Sequence, residues 1–208
     1  MIKLYHRQGS RSERVIWLME ELHIKYELEN VERGVGSNPN FRDMNPLGRV
    51  PVMLDGHSPV FDSGAMLEYL LERFDKDSSF SPPRGSNEWR EYVQWMHGAE
   101  TFLAPVTQYA HHTFIRAEAD RVPMMATEGK ATALENLQYL NQVLSARAYI
   151  AGARFSAADI MLGWGLLLMK RIGLIDGIEN VEKYITTLEK RPAVRRISSA
   201  CLPFQNFC

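Results

Sequence analysis

A polar segment containing prolines and glycine, at residues 75–87, divides the chain into two stretches with different hydrophobic patterns. Before it, short apolar runs of strand length alternate with helical spacing, whereas after it every strong apolar pattern has helical spacing. The segment's composition disfavours regular structure and is typical of an interdomain linker. The sequence therefore predicts an α/β domain at residues 1–76, a linker at 77–87 and an all-α domain at 88–208.

The first stretch is predicted to run in the order strand, helix, strand, loop, strand, strand, helix. Two strands on either side of one helix predict a parallel βαβ unit. Asp55-Gly56, between two short apolar runs, predicts an antiparallel hairpin. The predicted strands are 2–5, 26–31, 50–54 and 59–61, and the predicted helices are 12–23 and 65–74.

The second stretch is predicted to be helical. Ser156 and Asp159 form Ser-x-x-Asp before an apolar run, an acidic variant of the capping box, with Phe155 placed as a hydrophobic staple. We interpret these three residues as structural. The predicted helices are 88–115, 124–144, 157–172 and 178–190, with a short last helix after Pro192.

Composition and charge exclude several functional classes. Of the 208 residues 45% are hydrophobic and 24% are charged, which is typical of a globular protein. With 24 basic and 25 acidic residues the formal charge is −1, so we expect neither nucleic acid nor a membrane surface as a main partner. The N-terminus does not resemble a signal peptide, and the longest apolar-rich run, 160–169, is too short to cross a bilayer. A cytoplasmic protein is expected.

Metal and disulfide sites are not expected either. Cys201 and Cys208 are the only two cysteines, and their spacing matches neither a zinc cluster nor a disulfide scaffold. The adjacent His111 and His112 would point about 100 degrees apart on a helix and have no third ligand at helical spacing.

The loop after the first strand concentrates polar donors at a strand's carboxyl end, from Tyr5 to Arg14. The helix that follows presents unpaired N–H groups and the positive end of its dipole, so an anion, a thiolate or a phosphate could rest against residues 10–12. The alternative is that Ser10 or Ser12 caps this helix.

Two further positions are candidates for the same edge of the sheet. Val50-Pro51 opens an apolar strand, and a cis bond there would turn the Val50 backbone towards an extended, peptide-like ligand, although trans is the common form. Asp62-Ser63 supplies a second helix N-terminus, with capping again the alternative.

Four motifs occur in order along the chain, at residues 9–15 (GSRSERV), 45–52 (NPLGRVPV), 61–70 (FDSGAMLEYL) and 155–160 (FSAADI). Together they resemble the successive signatures of the cytosolic glutathione transferases, in particular bacterial-type, serine-class-like members. The resemblance implies a thioredoxin-like N-terminal domain, an all-α C-terminal domain and a homodimer.

The resemblance also implies site residues. Val50, before a cis Pro51, would pair through its backbone with the cysteinyl part of glutathione, and Asp62 and Ser63 would hold the γ-glutamyl group. Arg49 would reach the glycine carboxylate. Ser10 matches the catalytic position of the serine and cysteine classes, and Tyr5 is the rival hydroxyl, with Ser10 preferred.

The function implied is addition of the glutathione thiolate to an apolar electrophile. Ser10 is not a cysteine, which disfavours the members that form a mixed disulfide with glutathione. Glutathione-dependent peroxide reduction and a non-catalytic glutathione-binding module of the same fold are the alternatives. The electrophile is expected to bind on side chains of the helical domain, for which the candidates are Met96, Phe102, Tyr109, His112 and Trp164.

Overall fold

The computed structural model describes residues 1–199, which form two compact units. Within these residues the first unit comprises 1–81 and 192–199, and the second comprises 82–191. The predicted linker lacks helix and strand from residue 75 to residue 86. The domain boundaries at 76 and 88 remain a prediction, but the grouping of 192–199 with the first unit differs from the predicted 88–208 domain.

A four-stranded mixed sheet forms the first unit. β1 and β2 are parallel, β1 and β3 are antiparallel, and β3 and β4 form an antiparallel hairpin, so the strand order is β2-β1-β3-β4. The predicted βαβ unit and hairpin are confirmed. The strands are β1 (Ile2–His6), β2 (Tyr26–Asn30), β3 (Val52–Asp55) and β4 (Ser58–Phe61).

Four α-helices belong to the same unit, one of which the sequence analysis assigned to a loop. This helix is α2, whose first turn contains Pro39 and whose N-cap Asn38 accepts a hydrogen bond from the Asn40 N–H at 3.0 Å. Its six residues are too few to show helical periodicity. The helices are α1 (Ser12–Glu21), α2 (Pro39–Met44), α3 (Ser63–Phe74) and α8 (Pro192–Ser199).

The core of the first unit follows from strand alternation. Ile2, Leu4 and His6 of β1 are buried, while the residues between them are half-exposed, because successive side chains of a strand point to opposite faces. Trp17 of α1 is fully buried. α8 packs on α1 through its own buried side chains, including Ile197.

The second unit is helical, as predicted, with a change of helix type near residue 110. The predicted helix 88–115 is α-helical only to Ala110, and His111–Ile115 continue it as π-helix. The predicted capping box is confirmed, since the buried Asp159 carboxylate accepts the Ser156 N–H at 2.8 Å. The helices are α4 (Asn87–Ala110), α5 (Pro123–Leu144), α6 (Ala157–Arg171) and α7 (Glu179–Glu189).

Two features are absent from residues 1–199, a membrane-spanning helix and a group of side chains that could hold a metal ion. No helix in this range is long and apolar enough to cross a membrane. No group of three or more His, Cys, Asp or Glu side chains in this range is placed to hold a metal ion. Cys201 and Cys208 lie outside the described residues.

Candidate functional site

Strand register brings the three candidate segments to one end of the sheet. Tyr5 of β1 lies opposite Val52 of β3, and Val52 lies opposite Phe61 of β4. The chain leaves β1 towards the Ser10 loop, enters β3 from Pro51 and leaves β4 at Asp62, so all three segments extend from this row of paired residues. The convergence expected from the sequence is therefore present in the backbone.

Ser10 lies in a tight turn at the start of α1, and its side chain has close polar neighbours. Its Oγ donates to the Arg7 carbonyl at 2.6 Å and lies 2.6 Å from Ser12 Oγ. Gly9, at φ +71°, makes the turn, and its N–H donates to the Glu13 carboxylate at 2.7 Å. The hydroxyl is half-buried and fixed in place before any ligand binds.

The capping alternative for the two serines is not supported. The N-cap residue of α1 is Arg11, which makes no side-chain capping bond, and Ser12 is fully buried in the first turn. From the backbone of α1, Ser10 Oγ accepts the Ser12 N–H at 3.4 Å, which is long for a capping bond. Ser12 Oγ instead lies 2.7 Å from Nδ1 of His6.

Tyr5 and the serine loop lie on different faces of the sheet. The Tyr5 ring meets Phe41 of α2 edge-on at 5.8 Å between centroids, with the Lys3 ammonium 5.3 Å from its centre. The next residue, His6, points to the opposite face and contacts Ser12 of α1. The choice between Ser10 and Tyr5 as thiolate donor remains a prediction, but only Ser10 lies at the N-terminus of α1.

The Val50–Pro51 bond is cis. Val50 is half-buried and precedes the ladder that joins β3 to β1, whose last pair is Tyr5 with Val52. The preceding loop is held by the buried Asn45, whose Nδ2 donates to the Arg49 carbonyl at 2.6 Å. Arg49 itself is exposed, and its contact with a ligand carboxylate remains a prediction.

Asp62 caps α3 with its side chain and has an unusual backbone conformation. Its Oδ1 accepts hydrogen bonds from Gly64 N–H at 2.8 Å and Ala65 N–H at 3.1 Å, so the predicted cap is confirmed. Its φ of +76° is unusual for a residue other than glycine, and such conformations cluster at functional sites. The exposed carboxylate thus keeps a second oxygen available to a ligand amine.

Ser63, beside it, is held by a buried arginine. Arg14 of α1 is completely buried, and its Nη1 donates to Ser63 Oγ at 3.3 Å. The buried guanidinium and the N-terminus of α3 both contribute positive potential at Ser63, because arginine stays charged and the helix dipole has the same sign there. The Asp62 carboxylate, which caps the same helix, contributes negative charge beside it.

His6 is a titratable group in direct contact with Ser12. Burial lowers the pKa of its imidazole below the usual 6.5, while the negative charge of Glu13 acts in the opposite direction. The histidine is therefore neutral at pH 7, and each ring nitrogen has a defined role as donor or acceptor.

Most candidates for the electrophile pocket lie in the core of the helical unit. Met96, Phe102 and Trp164 are buried, with the Phe102 ring 5.7 Å from that of Trp95. His112 is also buried, and its Nδ1 accepts the Val122 N–H at 3.1 Å. Tyr109 is half-exposed. Their role in substrate binding remains a prediction.

Sequence reasoning did not single out three side chains that shape the site. Asn45 and Arg14 lie within the quoted motifs, but nothing in a single sequence separates a buried arginine from an exposed one. His6 had a usable signal, because it continues the inward alternation of Ile2 and Leu4.

A family model supports the resemblance in the first unit. Residues 4–79 match the model described as the glutathione S-transferase N-terminal domain. The match includes the last three residues of β1, the whole of β2 to β4 and of α1 to α3, and every candidate glutathione-binding residue.

Similar proteins extend the resemblance to nearly the whole chain. Glutathione S-transferase 3 of Schizosaccharomyces pombe is 28% identical over 211 residues, covering 94% of this chain and 86% of that protein. The disulfide-bond oxidoreductase YfcG of Escherichia coli is 29% identical over 173 residues, covering 77% of this chain and 76% of that protein.

A crystal structure of a glutathione transferase homolog from Lodderomyces elongisporus, with two GSH per subunit, has the same fold. Its TM-score is 0.86 at 22% identity, and the match covers 95% of this chain and 97% of that one. With the thioredoxin-like sheet and the following helices, these matches show that residues 4–79 are a glutathione S-transferase N-terminal domain and that the chain has the glutathione S-transferase fold.

Proposed function

We propose that this chain is a glutathione transferase that stabilises the glutathione thiolate and adds it to an apolar electrophile. The observation that carries the proposal is the row Tyr5, Val52 and Phe61, from which the Ser10 loop, the cis Val50–Pro51 bond and Asp62-Ser63 all extend. A thiol-containing tripeptide requires a thiolate donor, an extended backbone partner and a site for its charged end, and these segments offer all three.

Thiolate stabilisation is the chemical step assigned to Ser10. A free thiol has a pKa near 8.5, so only a few per cent is thiolate at neutral pH. A hydrogen bond to a charged group contributes about 1.5–3 kcal/mol, which corresponds to roughly one to two pKa units, and the N-terminus of α1 adds to it. Together these effects make thiolate the main bound species.

The remaining contacts hold the two charged ends of glutathione. The Asp62 carboxylate would accept from the γ-glutamyl amine, while Ser63 and the N-terminus of α3 would donate to the γ-glutamyl carboxylate. Arg49 would reach the glycine carboxylate, and the Val50 backbone would pair with the cysteinyl residue. None of these roles requires a metal ion.

The same proposal includes the electrophile, the oligomeric state and the location of the protein. The electrophile would contact the helical unit, with Met96, Phe102, Tyr109, His112 and Trp164 as candidates, and conjugation of apolar electrophiles is a detoxification reaction. We expect a homodimer in a cytoplasm that keeps glutathione reduced.

The oxidoreductase YfcG among the relatives makes disulfide reduction a second candidate reaction. The bound thiolate would attack one sulfur of a small disulfide and release the other as a thiolate, and a second glutathione would complete the reduction. Ser10 cannot form the mixed disulfide that a cysteine forms, so glutathione itself would be the nucleophile. Peroxide reduction would use the same thiolate.

The test is an ultraviolet titration of glutathione bound to the wild type and to Ser10→Ala. We expect a bound thiol pKa well below 8.5 that rises by about one unit or more in the variant, with turnover at least about ten-fold lower. Turnover would be measured with an aryl halide, an organic peroxide and a small disulfide. Glutathione affinity should change little, because the binding contacts lie elsewhere.

A Tyr5→Phe variant provides the matched control, since it removes the rival hydroxyl and keeps the ring. An effect of Tyr5→Phe larger than that of Ser10→Ala would transfer the role to Tyr5. If wild-type protein binds glutathione and leaves its thiol pKa near 8.5, the chain is a non-catalytic binding module.

A further inference from the structure

A chain of short polar contacts runs from the interior of the sheet to the Ser10 hydroxyl. His6 Nδ1 lies 2.7 Å from Ser12 Oγ, Ser12 Oγ lies 2.6 Å from Ser10 Oγ, and Ser10 Oγ lies 2.6 Å from the Arg7 carbonyl oxygen. All three distances are within the range of strong hydrogen bonds. His6 and Ser12 are buried, so water does not compete for these contacts.

The direction of each bond follows from counting hydrogens. A carbonyl oxygen only accepts, so Ser10 spends its one hydroxyl hydrogen on Arg7. Ser12 must then donate at the contact with Ser10. Having spent its own hydrogen there, Ser12 must accept at the contact with His6, and therefore Nδ1 of His6 carries a hydrogen.

The alternative arrangements leave a close oxygen pair without a hydrogen between the two atoms. Ser12 Oγ also lies 3.3 Å from the Arg7 carbonyl, but a hydrogen placed there would leave the 2.6 Å contact between the serines unbridged. A hydrogen given by Ser10 to Ser12 would likewise leave 2.6 Å between Ser10 and the Arg7 carbonyl unbridged. Lone pairs at that distance repel each other, so the directed chain is the arrangement that satisfies every contact.

We propose that His6 is a positioning residue that, by donating from Nδ1 through Ser12, keeps the hydroxyl hydrogen of Ser10 directed outward for donation to a bound thiolate. The inference rests on the proposed function of Ser10. When the sulfur arrives, the Ser10 side chain rotates so that its oxygen moves away from the Arg7 carbonyl and its hydrogen points to the sulfur, while Ser12 continues to donate to Ser10. No proton changes its heavy atom, and no covalent bond forms or breaks.

The histidine contributes in two ways. With His6 as donor, Ser12 is committed to donating to Ser10, so Ser10 cannot turn its hydrogen inward. A hydroxyl that accepts a hydrogen bond is also a stronger donor, by about 10–30% per bond. Burial keeps the imidazole neutral at pH 7, so the Nδ1 hydrogen is set by tautomer and not by charge.

The first test reads the tautomer directly in the ligand-free protein. Nitrogen-15 spectra of the histidine rings at about pH 8, where histidines are neutral, separate a protonated Nδ1 from a protonated Nε2. The His6 signals are identified by their loss in His6→Asn. We expect the hydrogen on Nδ1, and a hydrogen on Nε2 would overturn the proposal whatever the activity.

The second test compares two replacements of His6. His6→Leu removes the donor at similar bulk, whereas the Asn side-chain amide of His6→Asn places an N–H close to the position of Nδ1. We expect the bound thiol pKa to rise by about half a unit in His6→Leu, with kcat about three-fold lower, the KM for glutathione within two-fold and most of the effect restored in His6→Asn. A wild-type thiol pKa in folded His6→Leu would overturn the proposal.

A control substitution and the two readouts separate this inference from the proposed function. His57→Asn changes an exposed histidine in the β3–β4 turn and should leave the His6 tautomer and the bound thiol pKa unchanged. If the wild type does not bind glutathione, the proposed function fails, and the positioning role fails with it even when the Nδ1 tautomer is found. If glutathione binds and Ser10→Ala raises its thiol pKa while His6→Leu does not, only the role of His6 fails.

Discussion

Asp62 combines a strained backbone with a capping side chain, and the two contributions to stability oppose each other. Holding a residue other than glycine at φ +76° costs on the order of 1–3 kcal/mol, whereas its two bonds to the N–H groups of Gly64 and Ala65 stabilise the start of α3. A residue that serves only as a cap adopts ordinary extended geometry. Capping alone therefore does not account for the positive φ, and we expect the carboxylate to contact a ligand as well.

Substitution of Asp62 separates these contributions. In Asp62→Gly the relief of strain offsets the lost cap, so we expect the free energy of unfolding to stay within about 1 kcal/mol of wild type. Asp62→Ala loses the cap and keeps the strain, and it should be about 1–2 kcal/mol less stable. Both variants should bind glutathione at least about ten-fold more weakly, because the contact with the ligand amine is lost.

Denaturant unfolding and titration calorimetry measure the two quantities independently. If Asp62→Gly binds glutathione as tightly as wild type, Asp62 is a cap and no more, and the site must hold the γ-glutamyl amine by other groups.

At the scale of elements, the contact between α4 and α5 depends on a glycine. A Cβ placed on Gly129 of α5 would lie 2.8 Å from both the Pro105 carbonyl oxygen and the Tyr109 nitrogen of α4. These are backbone atoms that cannot turn away. Helical spacing predicts α4 and α5 from the sequence, but it does not reveal that their backbones approach this closely.

Gly129→Ala should therefore destabilise the protein although alanine favours helix. The gain in helix propensity is about 1 kcal/mol, whereas forcing the two helices apart costs about 1–3 kcal/mol, so we expect a net loss. Gly98→Ala is the matched control, because Gly98 lies within α4 and its added Cβ would meet nothing within 4 Å. That variant should be more stable by up to about 1 kcal/mol.

Thermal unfolding of Gly129→Ala and Gly98→Ala measures the two changes in stability. Equal stabilisation by the two alanines would mean that the α4–α5 contact relaxes without cost.

Sequence patterns predicted the sheet and the long helices well because local periodicity along the chain indicates each of these elements. Strand alternation, the Asp55-Gly56 turn and apolar spacing depend on neighbours along the chain. α2 was missed because six residues hold too little periodicity, and the change to π-helix after Ala110 does not alter the apolar spacing. The motifs located the Ser10, Val50 and Asp62 segments, but the chain from His6 to Ser10 depends on contacts that a pattern does not contain.

At the scale of the whole molecule, the chain returns to its first unit after building the helical one. α8 lies more than a hundred residues beyond β4, yet it packs on α1 and its Arg196 forms an ion pair with Glu20. The pair lies at the surface, where its Arg196 is largely exposed, so it contributes little by itself, and the buried apolar side chains of α8 dominate. The helix that carries the Ser10 loop is therefore supported from the far end of the described chain.

Ile197→Ala tests that support. Removing this buried side chain should destabilise the protein by about 2–5 kcal/mol, and hydrogen exchange should increase in α1 as well as in α8, because the two helices share one core. Arg195→Ala, at an exposed position two residues away, should change stability by less than about 0.5 kcal/mol. If exchange rises in α8 alone, α1 holds its position without α8, and the end of the chain does not contribute to placing the Ser10 loop.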